Sequence, residues 1–321
     1  MPTEDAMAEP LKIDSHIHLY KTSNEGKAAK EGYQIWEYGQ RSPVRFSRYS
    51  GTIEDALEAM KAAGISRAVV VHLFSALGTR EEDIARLPEG LGPDERDRAI
   101  REIDASLPER LKEFNRWGCD IVKDHPQLVS YITADAIALP GEEGAAHIRD
   151  MVESHGARGI KMHGAVQGFS MSDERMWPVY GACREMGLPI IGHSGPDRGG
   201  AHYAEPRAFG RMLGEFPELK VVLAHMGGGT WHQAPEIAKT YPNAYFDCCE
   251  IIEWTGGSDA PTDQQLARLI KDIGPERVMM GSDFPWYDLD HTVERVMELP
   301  ILSQEEKEGI LGANAVGILG L

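Results

Sequence analysis

The chain has few cysteines, and none of them lies in a disulfide or redox pattern. Four cysteines occur among 321 residues, without a CxxC motif. Disulfide scaffolds and thiol metal sites need a denser or more regular set. Cys248 and Cys249 are neighbours on a predicted strand, so their side chains are expected to face opposite ways. Reduced thiols in a cytoplasmic protein are therefore the expectation.

Long apolar runs and excess positive charge are also missing. No stretch is apolar enough to span a bilayer, and residues 1–10 lack the apolar core of a secretory signal. The 33 Lys and Arg residues against 51 Asp and Glu residues give a net charge of −18. This balance argues against nucleic acid or a membrane surface as a partner. A small-molecule substrate is the expected partner, and a homodimer is left open.

What the chain does contain is a regular alternation of strand and helix patterns. Eight apolar strand-like segments alternate with helical ones, and no long Pro-, Gly- or Ser-rich linker divides them. Such alternation predicts a parallel sheet, and eight units predict one closed (β/α)₈ TIM barrel over residues 1–321. Residues 20–50 lack a clear period and are predicted to form a loop over the barrel mouth. Residues 77–108 are predicted to form a charged helical insertion after strand two.

Four strand-like segments end in residues that bind metals. They are HIH at residues 16–18, GHSG at 192–195, AHMGGG at 224–229 and GSDFP at 281–285. Strand residues alternate between faces, so His16 and His18 share a face. Imidazoles with a carboxylate suit a divalent ion such as zinc. Because active sites of such barrels lie at the C-terminal ends of the strands, we predict a metal site there. The glycines after His225 are interpreted as room for a substrate.

These motifs, with GIKMHG at 159–164 and GANA at 312–315, resemble the amidohydrolase-related metal-dependent hydrolases. The resemblance is to the branch that includes aminocarboxymuconate-semialdehyde decarboxylase. It implies one divalent metal, zinc first and manganese as the alternative, held by the counterparts of four residues: His16, His18, His193 and Asp283. It also implies that His225 acts as catalytic acid or base. Asp283 is then both a ligand and a group that accepts a proton.

Two reaction classes fit this ligand set. Hydrolysis of a small polar or cyclic carbonyl substrate, such as an amide or lactone, by a metal-activated water is preferred because it is the broader chemistry of the superfamily. The alternative is non-oxidative decarboxylation of an aromatic or muconate-type acid, with His225 helping to deliver a proton to carbon. A third possibility is a barrel that binds a ligand without catalysis. In such a protein some of the metal-ligand residues would be replaced, and here all of them are present.

Lys161, at the end of strand four, has two interpretations. In binuclear members of the superfamily, a carbamylated lysine on this strand bridges two metals. In the branch resembled here, a lysine in a GIK-x-H setting occurs with one metal. We therefore predict one metal and an uncarbamylated Lys161 that contacts the substrate or a ligand.

Other candidates for substrate contact surround the loops after strands five and six. Arg198 and Arg207 could hold a substrate carboxylate through bidentate hydrogen bonds, although a solvated arginine is the commoner outcome. Trp231 follows the glycine run and is predicted to face either the pocket or the core. The lone histidines are expected to be solvated or hydrogen-bonded rather than functional: His72, His163 and His202. His72, at the end of strand two, could also touch the substrate.

Overall fold

Eight parallel strands form the centre of this computed structural model, which describes residues 11–33, 37–40, 43–197 and 199–321. Each strand pairs with the next one in sequence. The strands are β1 Ile13–Ile17, β2 Arg67–Val71, β3 Leu128–Thr133, β4 Gly159–Met162, β5 Ile190–His193, β6 Val221–Ala224, β7 Ala244–Asp247 and β8 Val278–Met279. A parallel bridge joins Ile17 to Phe284, and the Ser15 N–H donates to the Met280 carbonyl at 3.0 Å. These contacts bring the last strand back to the first, so the predicted (β/α)₈ TIM barrel is confirmed.

Helices surround the barrel. In the described part of the chain they are α1 Ser23–Gly32, α2 Ile53–Ala63, α3 Ala76–Ala85, α4 Pro93–Asp120, α5 Gly141–His155, α6 Gly164–Gln167, α7 Trp177–Met186, α8 Gly210–Glu215, α9 Ala234–Thr240, α10 Asp263–Ile273, α11 Leu289–Glu298, α12 Gln304–Glu308 and α13 Asn314–Leu319. Capping boxes begin three of them, at Thr52, Thr262 and Ser303. None of the described helices has the length and apolar character needed to cross a membrane.

The strands are apolar because both of their faces are buried. Val69, Val70 and Val71 of β2 are each 0% exposed, as expected for a parallel sheet between two packed layers. Side chains such as Ile191 and Val222 belong to one apolar cluster, which α13 joins through Ile318. Successive strand residues alternate between faces, so the face that buries Ile191 presents His193 at the C-terminal end. The strand pattern therefore positions polar residues at the barrel mouth.

The segment expected to be a loop over residues 20–50 contains a helix, α1. The Thr22 side chain caps it by accepting a hydrogen bond from the Glu25 N–H. Its sequence is polar and shows no apolar period, so no local pattern other than this cap predicts a helix. Gly26 packs against the Ser50 carbonyl oxygen, which would lie 1.6 Å from a Cβ at this position. A long-range contact therefore decides this helix. Residues 34–36 and 41–42 of the segment lie outside the described residues.

The helical insertion after β2 consists of α3 and the first part of α4, and it does not end at Pro108 as expected. Helix α4 continues through this proline to Asp120. Proline removes one backbone hydrogen bond but does not prevent a helix whose apolar side packs well. Here Leu107 and Leu111 are buried in a small cluster with Leu139. Packing on both sides of Pro108 thus outweighs the loss of one hydrogen bond.

Asn115 connects α4 to the barrel. Its Nδ2 donates to the Thr133 carbonyl at 2.9 Å, and its Oδ1 accepts from the Thr133 N–H at 2.9 Å. The residue is 0% exposed. We expect Asn115→Leu to lower the free energy of unfolding by about 2–3 kcal/mol, because it leaves buried backbone groups unpaired.

Urea denaturation of this variant measures the loss. Arg116→Ala is the matched control, since the neighbouring arginine pairs with Glu109 on the half-exposed side of the same helix. Such pairs are worth at most about 1 kcal/mol. Equal losses in the two variants would contradict the role of Asn115.

Candidate metal centre

Three of the predicted ligands meet at the C-terminal mouth of the barrel. His16 lies near the end of β1, His18 follows it, and Asp283 follows β8. The Nε2 atoms of His18 and His16 lie 3.2 Å and 3.6 Å from Asp283 Oδ1. Each of the three residues offers one ligand atom, and these atoms lie within 4.8 Å of one another. This group, here called the HHD group, could hold a metal ion.

The orientation of His16 is set by a carboxylate that the sequence analysis missed. Its Nδ1 lies 3.1 Å from Asp247 Oδ2, at the end of β7. With Nδ1 as the donor, Nε2 keeps its lone pair and faces the HHD group, as in metal-bound histidines. Lys161 Nζ lies 2.8 Å from this Nε2. The sequence did offer one indication of this role, because Asp247 lies at the C-terminal end of a strand, as the residues of the recognised motifs do.

Asp283 is suited to hold a cation because it stays charged. Burial by itself raises the pKa of this carboxyl. The hydrogen bond from His18 and the nearby His16 outweigh burial and hold the pKa of Asp283 below its usual value. A charged carboxylate and two neutral imidazoles are the forms that bind a divalent ion.

His193 faces the same mouth but lies outside the HHD group. Its ring centroid is 4.8 Å from that of His225, and it stacks on His163 with 3.6 Å between centroids. Among the described residues its Nε2 has no hydrogen-bond partner. Glu37 Oε1 lies 3.2 Å from this nitrogen, but the angle of the contact is not that of a hydrogen bond. Burial, followed by the charge of Lys161, lowers the pKa of His193 to about 3. A neutral, unpaired and buried nitrogen fits a metal ligand. His163 was expected to be only solvated or hydrogen-bonded, but its ring also supports His193.

His225 belongs to a second group of ligand atoms, with Glu250 and Asp283. All three residues have left-handed backbone, with φ of 61°, 60° and 58°. Such strain in residues other than glycine clusters at functional sites. The His225 N–H donates to Asp247 at 2.8 Å, and its Nδ1 lies 3.5 Å from Glu250 Oε2. Burial and His193 lower the pKa of His225 to about 4. This geometry allows either proton transfer or metal binding by His225.

Glu37 is a further residue that sequence reasoning missed. Its carboxylate reaches the barrel mouth beside His193, and burial raises its pKa to about 8. A Cβ at Gly195 or Gly228 would lie 2.5 Å or 2.2 Å from its Oε2. The glycine run after His225 was interpreted as room for a substrate. In the structure, Gly228 and Gly229 make room for Glu37 instead. The run of glycines was the only sequence signal of this contact.

Two of the other predicted contacts, Arg207 and Trp231, lie away from the HHD group. Arg207 is exposed and pairs with Glu236 at 3.0 Å. Trp231 lines a surface cavity together with Arg268 of α10. Arg198 lies outside the described residues. Lys161, by contrast, is 2% exposed and reaches a predicted ligand. Burial lowers the pKa of its amine.

A cavity of about 340 Å³ lies beside His18 and is here called the side cavity. Its size is at the low end of ligand pockets, which run from roughly 300 to 1,000 Å³. Most of its wall consists of rings: His18, Tyr20, His72, Phe114, Trp117 and Trp286. The edge of Trp286 meets His18 with 5.2 Å between ring centroids. A larger cavity, of about 520 Å³, lies at the opposite end of the barrel near Pro275 and contains no predicted site residue.

One curated relative is similar over part of its length. The 2-amino-3-carboxymuconate-6-semialdehyde decarboxylase of Dictyostelium discoideum is 26% identical over 210 residues. The match covers 56% of this chain and 58% of the relative. The chain therefore matches less than two thirds of that relative.

Solved structures share the fold at low identity. A dihydroxybenzoic acid decarboxylase from Polaromonas, with bound manganese and the inhibitor 2-nitroresorcinol, has a TM-score of 0.67 and 17% identity, with 97% of each chain covered. A putative 2-pyrone-4,6-dicarboxylic acid hydrolase from Pseudomonas putida has a TM-score of 0.60 and 19% identity, with 97% of this chain and 98% of the other covered. A decarboxylase and a putative hydrolase thus have the same fold.

The sequence model of the family described as "Amidohydrolase" matches residues 13–321. This range begins at β1 and includes every predicted ligand. The chain therefore belongs to the amidohydrolase family of enzymes.

Proposed function

We propose that this protein is a metal-dependent decarboxylase of an aromatic or muconate-type acid. This was the alternative of the sequence analysis, and it replaces the hydrolase that was preferred there. The curated relative is named a decarboxylase, and a decarboxylase shares the fold. The structural observation that carries the proposal is the side cavity. Its aromatic walls adjoin His18 and suit a planar conjugated acid.

The proposed cofactor is one divalent ion, zinc first and manganese as the alternative. Its proposed ligands are the HHD group and His193. The donor set fits, because two imidazole nitrogens face a charged carboxylate and the His193 nitrogen has no hydrogen-bond partner within the described ranges. A bound ion would act as a Lewis acid on a substrate oxygen.

His225 is the proposed proton carrier. In decarboxylation the bond between carbon and carboxylate breaks, its electron pair stays on carbon, and that carbon takes a proton. A hydrogen bond from the backbone N–H of His225 to the Asp247 carboxylate holds this residue at the barrel mouth. His225 Nδ1 lies 3.3 Å from the Cys249 carbonyl oxygen and 3.5 Å from Glu250 Oε2. With Nδ1 donating to that carbonyl, Nε2 is the nitrogen that takes up a proton and passes it to the carbon.

Hydrolysis remains the second candidate, because a putative hydrolase has the same fold. We expect the metal-loaded protein to release CO₂ from at least one aromatic or muconate-type acid. A panel of such acids, lactones and amides, assayed for CO₂ release and for acid release, separates the two reactions. Release of acid from a lactone or amide, with no CO₂ from any member of the panel, would restore the hydrolase interpretation.

The metal assignment predicts one ion per chain in the wild type and none in a double variant. His16→Ala with His18→Ala removes two of the proposed ligands, so metal and activity should be lost together. Elemental analysis after dialysis measures the metal content. His202→Ala is the control, because this exposed histidine pairs with Glu205 away from the site.

Two other results would contradict that assignment. Unchanged metal content in the double variant would place the ion elsewhere. Two ions per chain, with a Lys161 carbamate seen by ¹³C NMR after exchange with labelled bicarbonate, would indicate the binuclear arrangement.

The role of His225 predicts a different outcome from the loss of a ligand. His225→Asn should keep the metal and the fold, while turnover falls by roughly 10²–10⁴-fold, the usual effect of a positioned proton-transfer group. Metal content, circular dichroism and steady-state kinetics of the same preparation test this. Loss of metal in step with activity would make His225 a ligand, together with Glu250 and Asp283.

A further inference from the structure

Glu37 brings a carboxylate into the barrel mouth from outside the strands. Its Oε1 lies 3.2 Å from His193 Nε2, yet the angle of this contact is not that of a hydrogen bond. The other oxygen of Glu37, Oε2, is buried and also has no hydrogen-bond partner within the described ranges. Burying polar atoms without partners is unfavourable. The pair of Glu37 and His193 therefore calls for a partner from outside the chain.

The fold makes room for this carboxylate and holds it in place. A Cβ at either Gly195 or Gly228 would collide with Glu37 Oε2. Gly228 has φ of 51° and ψ of −134°, a backbone conformation that other residues rarely adopt. The neighbouring Tyr38 is buried, and its ring stacks on Trp254 with 5.8 Å between centroids. The carboxylate is therefore pre-organised at the mouth rather than free to turn toward solvent.

The spacing of the polar atoms at the mouth is that of ligands around one ion. Two ligand atoms about 2.0–2.2 Å from a zinc ion, at angles of about 90–110°, lie roughly 2.8–3.6 Å apart. The 3.2 Å between Glu37 Oε1 and His193 Nε2 falls in this range, as do the 3.2 Å and 3.6 Å within the HHD group. Ligands of one ion point at the ion rather than at each other, which explains a close contact without a hydrogen bond. An ion is also smaller than a water molecule, so it can reach converging atoms that expose no surface to water.

The charges at the mouth favour a cation beside Glu37. Burial raises the pKa of Glu37, and the charge of Asp283 adds to this effect, so the two carboxylates are close to each other. Asp247 and Glu250 are further acidic side chains at the mouth. The ammonium of Lys161 contacts a histidine of the HHD group instead, and among the described side chains it forms no ion pair with Glu37. A divalent ion would be neutralised by Asp283 and Glu37, while the neutral imidazoles add no charge.

We propose that Glu37 is an additional ligand of the divalent ion at the barrel mouth, and that it binds this ion together with His193. The ion then joins the HHD group, at the ends of β1 and β8, to a residue of the segment after β1. This inference rests on the metal site of the proposed function and is independent of the identity of the substrate.

Metal titration of Glu37→Gln tests this role, because the change keeps the size of the side chain and removes its charge. The affinity for Zn²⁺, measured by competition with a chromophoric chelator, should fall by at least roughly tenfold, since even the loss of a group that only orients a ligand costs about that much. The visible absorption spectrum of the Co²⁺-loaded protein should also change, because it reports the number and type of ligands. Glu31→Gln is the matched control and should leave both measurements unchanged, since it alters an exposed carboxylate of α1 in the same segment.

The same measurements separate a ligand from a residue that only packs at the mouth. Circular dichroism checks the fold, and Glu37→Ala replaces the first variant if Glu37→Gln does not fold. Unchanged Zn²⁺ affinity overturns the proposal, and so does weaker affinity with an unchanged Co²⁺ spectrum, because Glu37 would then lie outside the ligand set. A wild type that binds neither ion overturns both this proposal and the metal assignment. Release of CO₂ from the acid panel decides the substrate class separately.

Discussion

The candidate site depends on one carboxylate, Asp247, at the end of β7. One of its oxygens lies 3.1 Å from His16 Nδ1, and the other accepts the His225 N–H at 2.8 Å. The first contact directs the lone pair of His16 Nε2 toward the HHD group. The second holds the left-handed backbone from which the His225 ring enters the mouth. A single buried side chain thus orients both a proposed ligand and the proposed proton carrier.

Burial in the barrel mouth also determines which of the surrounding side chains are charged. Burial lowers the pKa of His16, His193 and His225, which keeps their imidazoles neutral. Burial by itself raises the pKa of Asp283, but hydrogen bonding from His18 favours its charged form, and the pKa of Asp283 lies below its usual value. Neutral nitrogens around a charged carboxylate attract a cation rather than an anion. The same low-dielectric environment would strengthen the interaction of a bound ion with a substrate oxygen.

Much of the wall of the side cavity and of the barrel mouth comes from segments other than the strand ends. Lys21 and Glu37 belong to the segment after β1, and Trp117 belongs to the last part of α4, between β2 and β3. Loops and insertions at the C-terminal face of such barrels vary independently of the strands, so they can change the bound acid without changing the ligands at the strand ends. His72 lies where the two parts meet, directly after β2.

The sequence by itself determined the barrel, and it placed the proposed ligands at the ends of strands. Buried parallel strands have apolar sequences, and amphipathic helices show a regular apolar period. The predicted ligands lie at or shortly after the C-terminal ends of strands. Tertiary structure alone decided α1, the continuation of α4 past Pro108, and the roles of Asp247 and Glu37. These features depend on contacts between residues far apart in the chain, such as Gly26 with Ser50 and Glu37 with Gly228. Local pattern carries no information on such contacts, because the side chains meet only after the barrel has closed.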